Sequence, residues 1–278
     1  MLKAHFLNVG KGNCTIIEFP SGRLAMIDID NSRVNNDNSL TDPIDYYISK
    51  FGRKTLFRFI LTHPDMDHMS GLNLIANKIS ISNFWDTENN KRISDENWNN
   101  SPYNRDDWNK YQEFRRSQED PKCLFLYQNS NSECCWIQDG ITILSPTKNL
   151  VALANETEEY NHLSYVLMID YSNVRILIGG DATIEAWDEI FKQFGVDGLR
   201  ADIFLAPHHG SKKNINKDVF KYINPDYVIV SVAAGVDYDY NYYNGLANIN
   251  VLSTKYYGTI TLEIQPNGKY KIFVERNA

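Results

Sequence analysis

The chain has 278 residues, of which 42% are hydrophobic, and this is enough apolar material for one folded α/β domain. This composition excludes a disordered chain, and the lack of an uninterrupted apolar run of about 18 residues excludes a predicted membrane span. The formal net charge of −7 argues against broad electrostatic binding of nucleic acid, although bound divalent cations can make a cleft locally positive.

The N-terminal segment and the cysteines both bear on cellular location. Lys3, His5 and Asn8 interrupt the first apolar stretch, so we expect no signal peptide. The chain has four cysteines, which are Cys14, Cys123, Cys134 and Cys135. They form no CxxC pair and no finger-like spacing with histidine, so we expect reduced, buried thiols. These features predict a soluble protein of the cytoplasm with no membrane contact.

The first 61 residues predict three strands, a helix and a further strand. Residues 1–9 and 13–19 have strand-like apolar patterns, and a Pro-Ser-Gly turn leads into a third strand over residues 24–29. Residues 42–52 begin with Asp-Pro, repeat apolar residues at helical spacing and end in glycine, which predicts a helix packed on a sheet. The apolar residues 56–61 predict the fourth strand.

The sequence His-Pro-Asp-Met-Asp-His at residues 63–68 directly follows that strand. Its two histidines and two carboxylates would repel one another and resist burial unless a cation lay between them. Pro64 biases His63 away from the helical region, so the segment is predicted to be a loop that leaves a strand. A surface loop that binds nothing is the alternative, but two later segments favour a divalent metal site.

Two further apolar runs also end in residues that bind metals. Residues 176–182 end in Gly-Gly-Asp-Ala, which contains Asp181, and residues 204–211 end in Pro-His-His-Gly-Ser, which contains His208 and His209. Functional sites form at strand ends in layered α/β proteins, so we expect the three segments to converge.

Between about residues 86 and 122 the composition changes to asparagine, aromatic and charged residues. The arginines of this insertion are Arg92, Arg105, Arg115 and Arg116. Interleaved with aromatic residues, they could neutralise phosphates while the rings stack on bases. The alternative is an amphipathic helix over about residues 105–117 that packs its aromatic side chains on the sheet. Both interpretations can hold on opposite faces of one helix.

The second half of the chain repeats the pattern of strands and helices. Strands are predicted at residues 123–127, 140–144, 164–171, 174–178, 202–206 and 226–232, and helices at about 184–194 and near 219. Two strand-rich halves without a linker predict one domain over residues 1–278. The expected architecture is a four-layer αββα sandwich with the site between the sheets at one edge.

Three motifs in this order resemble the metallo-β-lactamase fold and, more narrowly, the soluble nuclease-like domain of the competence protein ComEC. They lie at residues 62–71, 179–182 and 207–211, and the first has the HPDxDH form of that variant. The resemblance covers most of the chain except residues 80–138, and it reaches only the soluble part of ComEC, which is itself a membrane protein. It implies a metal-dependent hydrolase with the αββα fold. Residues 248–255 and 258–263 resemble the closing strands of the ComEC-like domain, so the resemblance predicts strands there.

The resemblance also implies a ligand set for two divalent ions. The implied ligands are His63 and Asp65 for the first ion, Asp67, His68 and His208 for the second, and Asp181 as the bridge between them. Asn161 is the predicted third ligand of the first ion, because the histidine usual in the family is not at its expected place. Asp28 would anchor the ligand loop by hydrogen bonds without touching metal.

Further residues are predicted to contact substrate. His162 lies beside Asn161 and either binds substrate or is satisfied by local hydrogen bonds. Lys212 and Lys213 either track a nucleic-acid backbone or form a solvated turn. The tyrosines within residues 236–244 stand where the family often has a histidine, and they either polarise a phosphate oxygen or serve packing.

The ligand chemistry predicts the ion and the reaction. A carboxylate at Asp65, where relatives more often have histidine, favours Mn²⁺, with Zn²⁺ as second choice. Two ions would activate water and stabilise charge on a phosphoryl group, with Asp67 and Asp181 at the catalytic centre. His209 would donate a hydrogen bond to a phosphate oxygen or protonate the leaving group. We therefore predict a phosphodiesterase that acts on DNA.

Two other functions are open on the sequence. One is hydrolysis of a small molecule such as a cyclic nucleotide, a lactone or a β-lactam. The other is a metal-binding adaptor without turnover that serves a helicase or ATPase partner. Asn8 and Asn13 keep the adaptor open, because ComEC-like domains have aspartates at these positions.

Overall fold

Two β-sheets form the centre of the computed structural model, which describes residues 1–34, 37–130, 135–232, 236–245 and 249–276. The strands of the first sheet are β1 (Leu2–Phe6), β2 (Thr15–Glu18), β3 (Leu24–Ile27), β5 (Leu56–Ile60), β7 (Ile81–Asp86), β8 (Lys122–Phe125), β15 (Ile260–Ile264) and β16 (Tyr270–Val274). Those of the second are β9 (Ile141–Ser145), β10 (Val166–Tyr171), β11 (Val174–Ile178), β12 (Ile203–Leu205), β13 (Tyr227–Val230) and β14 (Asn250–Ser253). The short strands β4 (Ile29–Asp30) and β6 (Met69–Ser70) pair with each other.

The strand order fixes which loops share an edge. The first sheet runs β16-β15-β1-β2-β3-β5-β7-β8 and is parallel from β3 onward, while the second runs β14-β13-β12-β11-β10-β9 and is parallel from β11 to β14. In parallel strands the carboxyl ends lie at one edge of the sheet, so the loops after β11 and β12 emerge together at one edge of the second sheet, and the loop after β5 emerges at the corresponding edge of the first.

Helices cover the outer faces of both sheets. Their bounds are α1 (Pro43–Phe51), α2 (Leu72–Lys78), α3 (Asp95–Asn99), α4 (Arg105–Phe114), α5 (Lys148–Thr157), α6 (Ile184–Leu199), α7 (Lys217–Ile223), α8 (Tyr240–Asn244) and α9 (Thr254–Tyr257). Apolar side chains of α1, α2 and α4 pack on the first sheet, and those of α6 and α7 pack on the second. A central core joins the inner faces of the two sheets. The predicted αββα sandwich is therefore confirmed.

The helix predicted at residues 42–52 shows how local chemistry sets an element. Asp42 Oδ1 accepts from the backbone N–H groups of Ile44 and Asp45, at 2.8 and 3.1 Å, and Pro43 occupies the first turn. A cap of this kind stabilises a helix by about 1 kcal/mol. Gly52 ends the helix at φ +63°, a conformation that glycine adopts without a Cβ penalty.

The insertion folds back on the first sheet through its aromatic residues. Trp108, Tyr111 and Phe114 of α4 are buried among side chains of the outer layer. Asp107 Oδ1 accepts from the backbone N–H of Asn73 at 2.9 Å and so ties α4 to the start of α2. These rings therefore serve packing, as the amphipathic-helix interpretation expected.

Several elements differ from the sequence predictions. The strand predicted at residues 24–29 is interrupted at Asp28, which has φ +58° and separates β3 from β4. The closing strand predicted at residues 248–255 is shorter, because Ser253 caps α9 by accepting from the N–H of Lys255. Residue 248 and Cys134 lie outside the described residues. No helix in the described part of the chain is long and apolar enough to cross a membrane.

Candidate metal centre

The loop after β5 brings two histidines into the interior. Residues Met66–His68 form a single 3₁₀ turn, and the side chains of His63 and His68 are fully buried, with ring centroids 4.1 Å apart. Pro64 precedes this turn, and Ser70 closes it by donating to the carbonyl of Met66 at 2.7 Å. The HPDMDH segment is therefore a fixed loop and not a solvated one.

Four imidazoles surround one carboxylate oxygen at the edge between the sheets. The distances from Asp181 Oδ2 to the Nε2 atoms are 3.5 Å for His68 and 3.9 Å each for His63, His208 and His209. The Asp181 side chain is only 5% exposed. Burial raises its pKa, but His68 and His209 outweigh that effect and hold the pKa of this carboxyl well below its usual range.

The donor atoms divide into two sets of metal-ligand geometry. One set contains His63, His68 and Asp181, and the other contains Asp67, His68 and His209, with all donor atoms of a set within 4.8 Å of one another. Nε2 of His63, Nε2 of His68 and Oδ1 of Asp181 are buried and lack a hydrogen-bond partner. Such atoms are costly to bury unless something satisfies them. Imidazole nitrogens with a carboxylate fit a divalent cation, so these residues fit a metal centre.

Asp28 anchors the loop after β5 through hydrogen bonds to Thr62 and His68. Its Oδ1 accepts from the Thr62 N–H at 2.7 Å, and its Oδ2 accepts from the Thr62 hydroxyl at 2.8 Å. The same Oδ2 lies 2.8 Å from His68 Nδ1. Because a carboxylate only accepts, His68 must donate from Nδ1, which leaves its Nε2 lone pair directed at the cluster. The structure thus places Asp28 against the loop, as the resemblance implied.

The paired histidines of the third motif have different surroundings. Nδ1 of His209 donates to the Ser231 carbonyl at 3.1 Å, so its Nε2 is free to face Asp67 Oδ2 at 3.9 Å. The His209 side chain is 13% exposed, whereas that of His208 is 42% exposed. The sequence analysis predicted that His208 binds metal and that His209 contacts the substrate. The geometry favours the opposite assignment, because His209 lies with Asp67 and the more exposed His208 reaches Asp181.

Asp65 lies at the rim of the cluster. Its Oδ2 is 3.5 Å from His63 Nε2, and its Oδ1 forms an ion pair with Lys91 of the insertion. Although burial raises the pKa of Asp65, the nearby His63 and Lys91 lower it below the usual range. Asp65 and Asn161 line the same cavity, so the structure leaves Asn161 beside the position predicted for the first ion.

The other predicted substrate contacts have local partners. His162 Nδ1 lies 2.8 Å from the Thr183 hydroxyl and 3.6 Å from Glu185 Oε2, in agreement with the local hydrogen bonding that was its alternative. Lys212 forms an ion pair with Asp239 at 3.1 Å. Lys213 is exposed.

Two of the tyrosines after residue 236 serve packing. Tyr243 is fully buried beside Phe220, at a ring-centroid distance of 5.2 Å. Tyr242 donates to the carbonyl of Ile215 at 2.6 Å. Both contacts belong to the outer layer of the second sheet.

The sequence did not indicate two groups around the cluster, Lys91 and Ser231, and it did not single out Tyr103 among the aromatic residues of the insertion. Lys91 contacts Asp65 from the insertion, and Ser231 orients His209 through its carbonyl. Tyr103, also from the insertion, has a pKa raised by burial and by the negative charges of Asp67, Asp30 and Asp65. No local pattern marks these residues, because each reaches the site only through tertiary packing.

A glycine before β2 lets the backbone pass directly behind the metal loop. A Cβ on Gly12 would lie 2.0 Å from the Asp67 carbonyl oxygen and 2.4 Å from Asp30 Cβ. The Gly12 N–H donates to Asp30 Oδ2 at 3.0 Å, and the Ser231 hydroxyl donates to the Gly12 carbonyl at 3.1 Å. This segment therefore buttresses the loops of both sheets.

Comparison with known proteins identifies the fold. No family model matches the sequence, and no curated protein matches it significantly. The metallo-β-lactamase fold protein YhfI from Bacillus subtilis matches with a TM-score of 0.53 and 9% identity, over 92% of this chain and 97% of that one. The metallo hydrolase Igni18 from Ignicoccus hospitalis matches with a TM-score of 0.52 and 13% identity, over 95% of this chain and 100% of that one. Tm1679, a metal-dependent hydrolase of the β-lactamase superfamily, matches with a TM-score of 0.53 and 11% identity, over 99% of this chain and 100% of that one.

These matches define the class of structure. The chain has the metallo-β-lactamase fold, and its cluster of histidines and carboxylates fits a divalent metal centre. At these identities the likeness bears on the fold alone. The narrower resemblance to ComEC stays a prediction, as does the cytoplasmic location.

Proposed function

We propose that this chain is a metal-dependent hydrolase that cleaves phosphodiesters, with DNA as substrate. The observation that carries the proposal is the group of four imidazole Nε2 atoms within 3.9 Å of one buried Asp181 oxygen. Burying such donors without a partner has a free-energy cost that a stable fold tolerates at functional sites. The three metal-ligand segments come from strand ends of both sheets, where functional sites of layered folds form.

The donor set supports Mn²⁺ as first choice and Zn²⁺ as second. The first of the two proposed ions would take a nitrogen from the buried His63 and oxygens from Asp181 and from Asp65 at the rim, with Asn161 proposed as a further oxygen donor, so its set would be mixed and oxygen-rich. The second would be held by Asp67, His68 and His209, with Asp181 shared. When bound, divalent ions supply Lewis acidity, which makes water available as a nucleophile near neutral pH and stabilises charge on phosphoryl oxygens.

The protein's own groups would position the substrate. Asp28 and the Ser231 carbonyl accept from Nδ1 of His68 and His209, so each ring would offer the lone pair of its Nε2 atom to a bound ion. His208 is the exposed member of the histidine pair, and it is better placed than His209 to protonate a leaving oxygen.

Turnover on two kinds of substrate tests the proposal. Purified protein loaded with Mn²⁺ or Zn²⁺ would be incubated with linear, circular and single-stranded DNA, and separately with bis(p-nitrophenyl) phosphate. We expect cleavage of DNA, with a loss of at least about 100-fold in Asp67→Ala and Asp181→Asn. Asp45→Asn is the matched control, because Asp45 is 77% exposed on the first helix and far from the cluster in the fold.

The other functions would give different results. Cleavage of the small ester without cleavage of DNA would favour a small-molecule hydrolase. Metal binding without turnover on either substrate would contradict the proposal and favour an adaptor for a helicase or ATPase.

A further inference from the structure

A cavity of about 610 Å³ opens beside Asp65 at the rim of the metal centre. Lys91 and Arg92 of the insertion line one part of it, and Glu158 and Glu159 line another. Its charge is therefore mixed. Asp65 and the insertion therefore share one cavity next to the metal centre.

A second cavity of about 780 Å³ continues from the first, and it shares Lys91 and Arg92 with it. Arg115 and Arg116 at the end of α4 also line this second cavity. None of the described residues that line it is acidic. We call the two cavities together the arginine groove. It leads from Asp65 to the end of α4 and becomes uniformly cationic as it leaves the metal centre.

Two of its four cations have structural partners. Arg115 Nε lies 3.3 Å from Asp86 Oδ2, and Arg115 Nη2 donates to the Asn89 carbonyl at 2.8 Å. Lys91 pairs with Asp65 and lies 5.1 Å above the Tyr160 ring. These contacts fix the walls of the groove.

The other two cations are free to bind an anion. Arg92 and Arg116 are both exposed, and among the described residues neither forms an ion pair with a carboxylate. The chain as a whole has a net charge of −7, but this cavity has two unpaired guanidinium groups and no acidic lining residue, so its local charge is positive. Guanidinium groups bind phosphate oxygens through paired hydrogen bonds, so the expected ligand is a phosphate.

We propose that Arg92 and Arg116 form a second phosphate subsite, which binds a backbone phosphate of a polynucleotide strand whose scissile phosphate lies at the metal centre. The inference rests on the proposed function, because it assumes a phosphodiester at the cluster. Tyr111 and Phe114 of α4 are buried, and Trp108, which lines the groove, is only 8% exposed, so α4 offers little ring surface on which bases could stack. The groove would therefore contact the backbone with little preference for sequence.

The subsite predicts a dependence on substrate length. We would measure kcat/KM for a single strand of about 12 nucleotides and for bis(p-nitrophenyl) phosphate, which has one phosphate. In Arg92→Ala/Arg116→Ala the ratio of the two values should fall about tenfold. Arg92→Lys/Arg116→Lys should recover part of the loss, since it keeps the charge. Arg53→Ala/Arg200→Ala removes two exposed arginines that line neither cavity and is the matched control.

Binding without turnover separates the subsite from catalysis. The affinity of the chelator-treated full chain for a fluorescent strand would be measured by anisotropy across a salt series. Each lost phosphate contact lowers the slope of log Kd against log salt by about 0.7 for a single strand, so the double alanine variant, which loses the one phosphate that the two arginines share, should lose about 0.7. An unchanged slope and an unchanged ratio would overturn the subsite while leaving the proposed function intact.

Two other outcomes are also decisive. If the loaded wild-type chain hydrolyses neither ester but the salt slope still falls in the variant, Arg92 and Arg116 bind a strand as proposed, whereas the proposed function and the placement of a scissile phosphate at the metal centre are overturned. If poly-glutamate displaces the strand as well as an unlabelled strand does, the inference is overturned in favour of an acidic protein partner.

Discussion

Asp28 shows how one side chain can set the chemistry of another. It accepts two hydrogen bonds from Thr62 and one from His68 Nδ1, and it does so from a left-handed backbone conformation with φ +58°. Such a conformation is strained for a residue other than glycine and persists only when its surroundings over-determine it. The strain is consistent with a carboxylate kept for its effect on His68.

Replacing Asp28 by asparagine tests this role. The amide group introduced by this change would offer a donor to His68 Nδ1, so the imidazole would carry its proton on Nε2, toward the cluster. We expect Asp28→Asn to weaken metal binding by about 10- to 100-fold, measured by competition with a chelator. Asp170→Asn, on the exposed end of β10, is the control. Unchanged metal affinity in Asp28→Asn would contradict the orienting role.

His5 makes a separate contribution to the pH dependence of stability. It is buried between Glu18, Tyr46 and Thr261, and burial lowers its pKa below 6.5 even though Glu18 favours the protonated ring. In the window between that lowered pKa and 6.5, the unfolded chain binds a proton that the folded chain does not. The contribution of His5 to the free energy of unfolding therefore falls as pH falls through this window.

The variant His5→Gln removes this titration and keeps a neutral hydrogen-bonding side chain. Urea midpoints at about pH 7.5 and about pH 5.5 should differ less for the variant than for the wild-type chain. Carboxyl groups with raised pKa values, such as Asp86 at about 7, titrate in the same range in both proteins. The difference between the two proteins therefore isolates His5, and identical pH dependence would exclude it as an acid-sensitive group.

The segment between β1 and β2 is a structural support for the metal loop. Because a Cβ at Gly12 would overlap the Asp67 carbonyl, Gly12→Ala must push the loop away from the cluster. We expect a loss of about 1 to 3 kcal/mol in the free energy of unfolding together with weaker metal binding. The measurements are urea denaturation and metal titration of the same sample.

Gly22→Ala is the comparison for this substitution. Gly22 has φ +84°, and no atom lies within 4 Å of the position that an added methyl group would take, so alanine there introduces backbone strain alone. It should destabilise by about 1 kcal/mol and leave metal affinity unchanged. If Gly22→Ala weakened metal binding as much as Gly12→Ala, the local contact with Asp67 would not be the cause.

The sequence predicted the elements that carry strong local signals. The αββα layers, the strands before each motif and the first helix follow from apolar periodicity, caps and glycines, and the structure contains them. α5 was missed, although Thr147 caps it by accepting from the Leu150 N–H. The β4 and β6 pair was also missed, because two-residue strands have no readable period.

The site was predictable where motifs are contiguous. The sequence placed His63, His68 and Asp181 among the ligands, and the structure brings these three together. The sequence could not show which of His208 and His209 binds metal. The direction of each side chain depends on the backbone conformation, and both residues adopt positive φ here. Lys91 and Tyr103 depend on how the insertion packs, which no local pattern encodes.

The metal centre joins the two halves of the molecule. His63, Asp67 and His68 follow β5 of the first sheet, whereas Asp181 follows β11 of the second and His209 follows β12. The Tyr165 N–H also donates to the Thr62 carbonyl at 2.9 Å across this junction. An ion held by ligands from both sheets would therefore stabilise them as one cooperative unit.

Thermal unfolding tests this coupling. At a metal concentration of about 100 times Kd, binding contributes about 2.7 kcal/mol, which should raise Tm by about 5 to 10 °C in a single transition. Asp181→Asn should abolish the shift. Two transitions, of which metal moves only one, would show that the sheets unfold independently.

The way in which α4 is attached has a consequence for divergence among proteins of this fold. The aromatic side chains of α4 pack against the outer face of the first sheet, and Arg116, which follows the helix, is exposed. None of the implied metal ligands belongs to α4. Substitutions on its outer side can accumulate without disturbing the ions. If the insertion binds substrate as proposed, substrate recognition and metal chemistry can change independently, and moving the insertion into another protein of this fold would transfer its ligand preference without altering the host's metal centre.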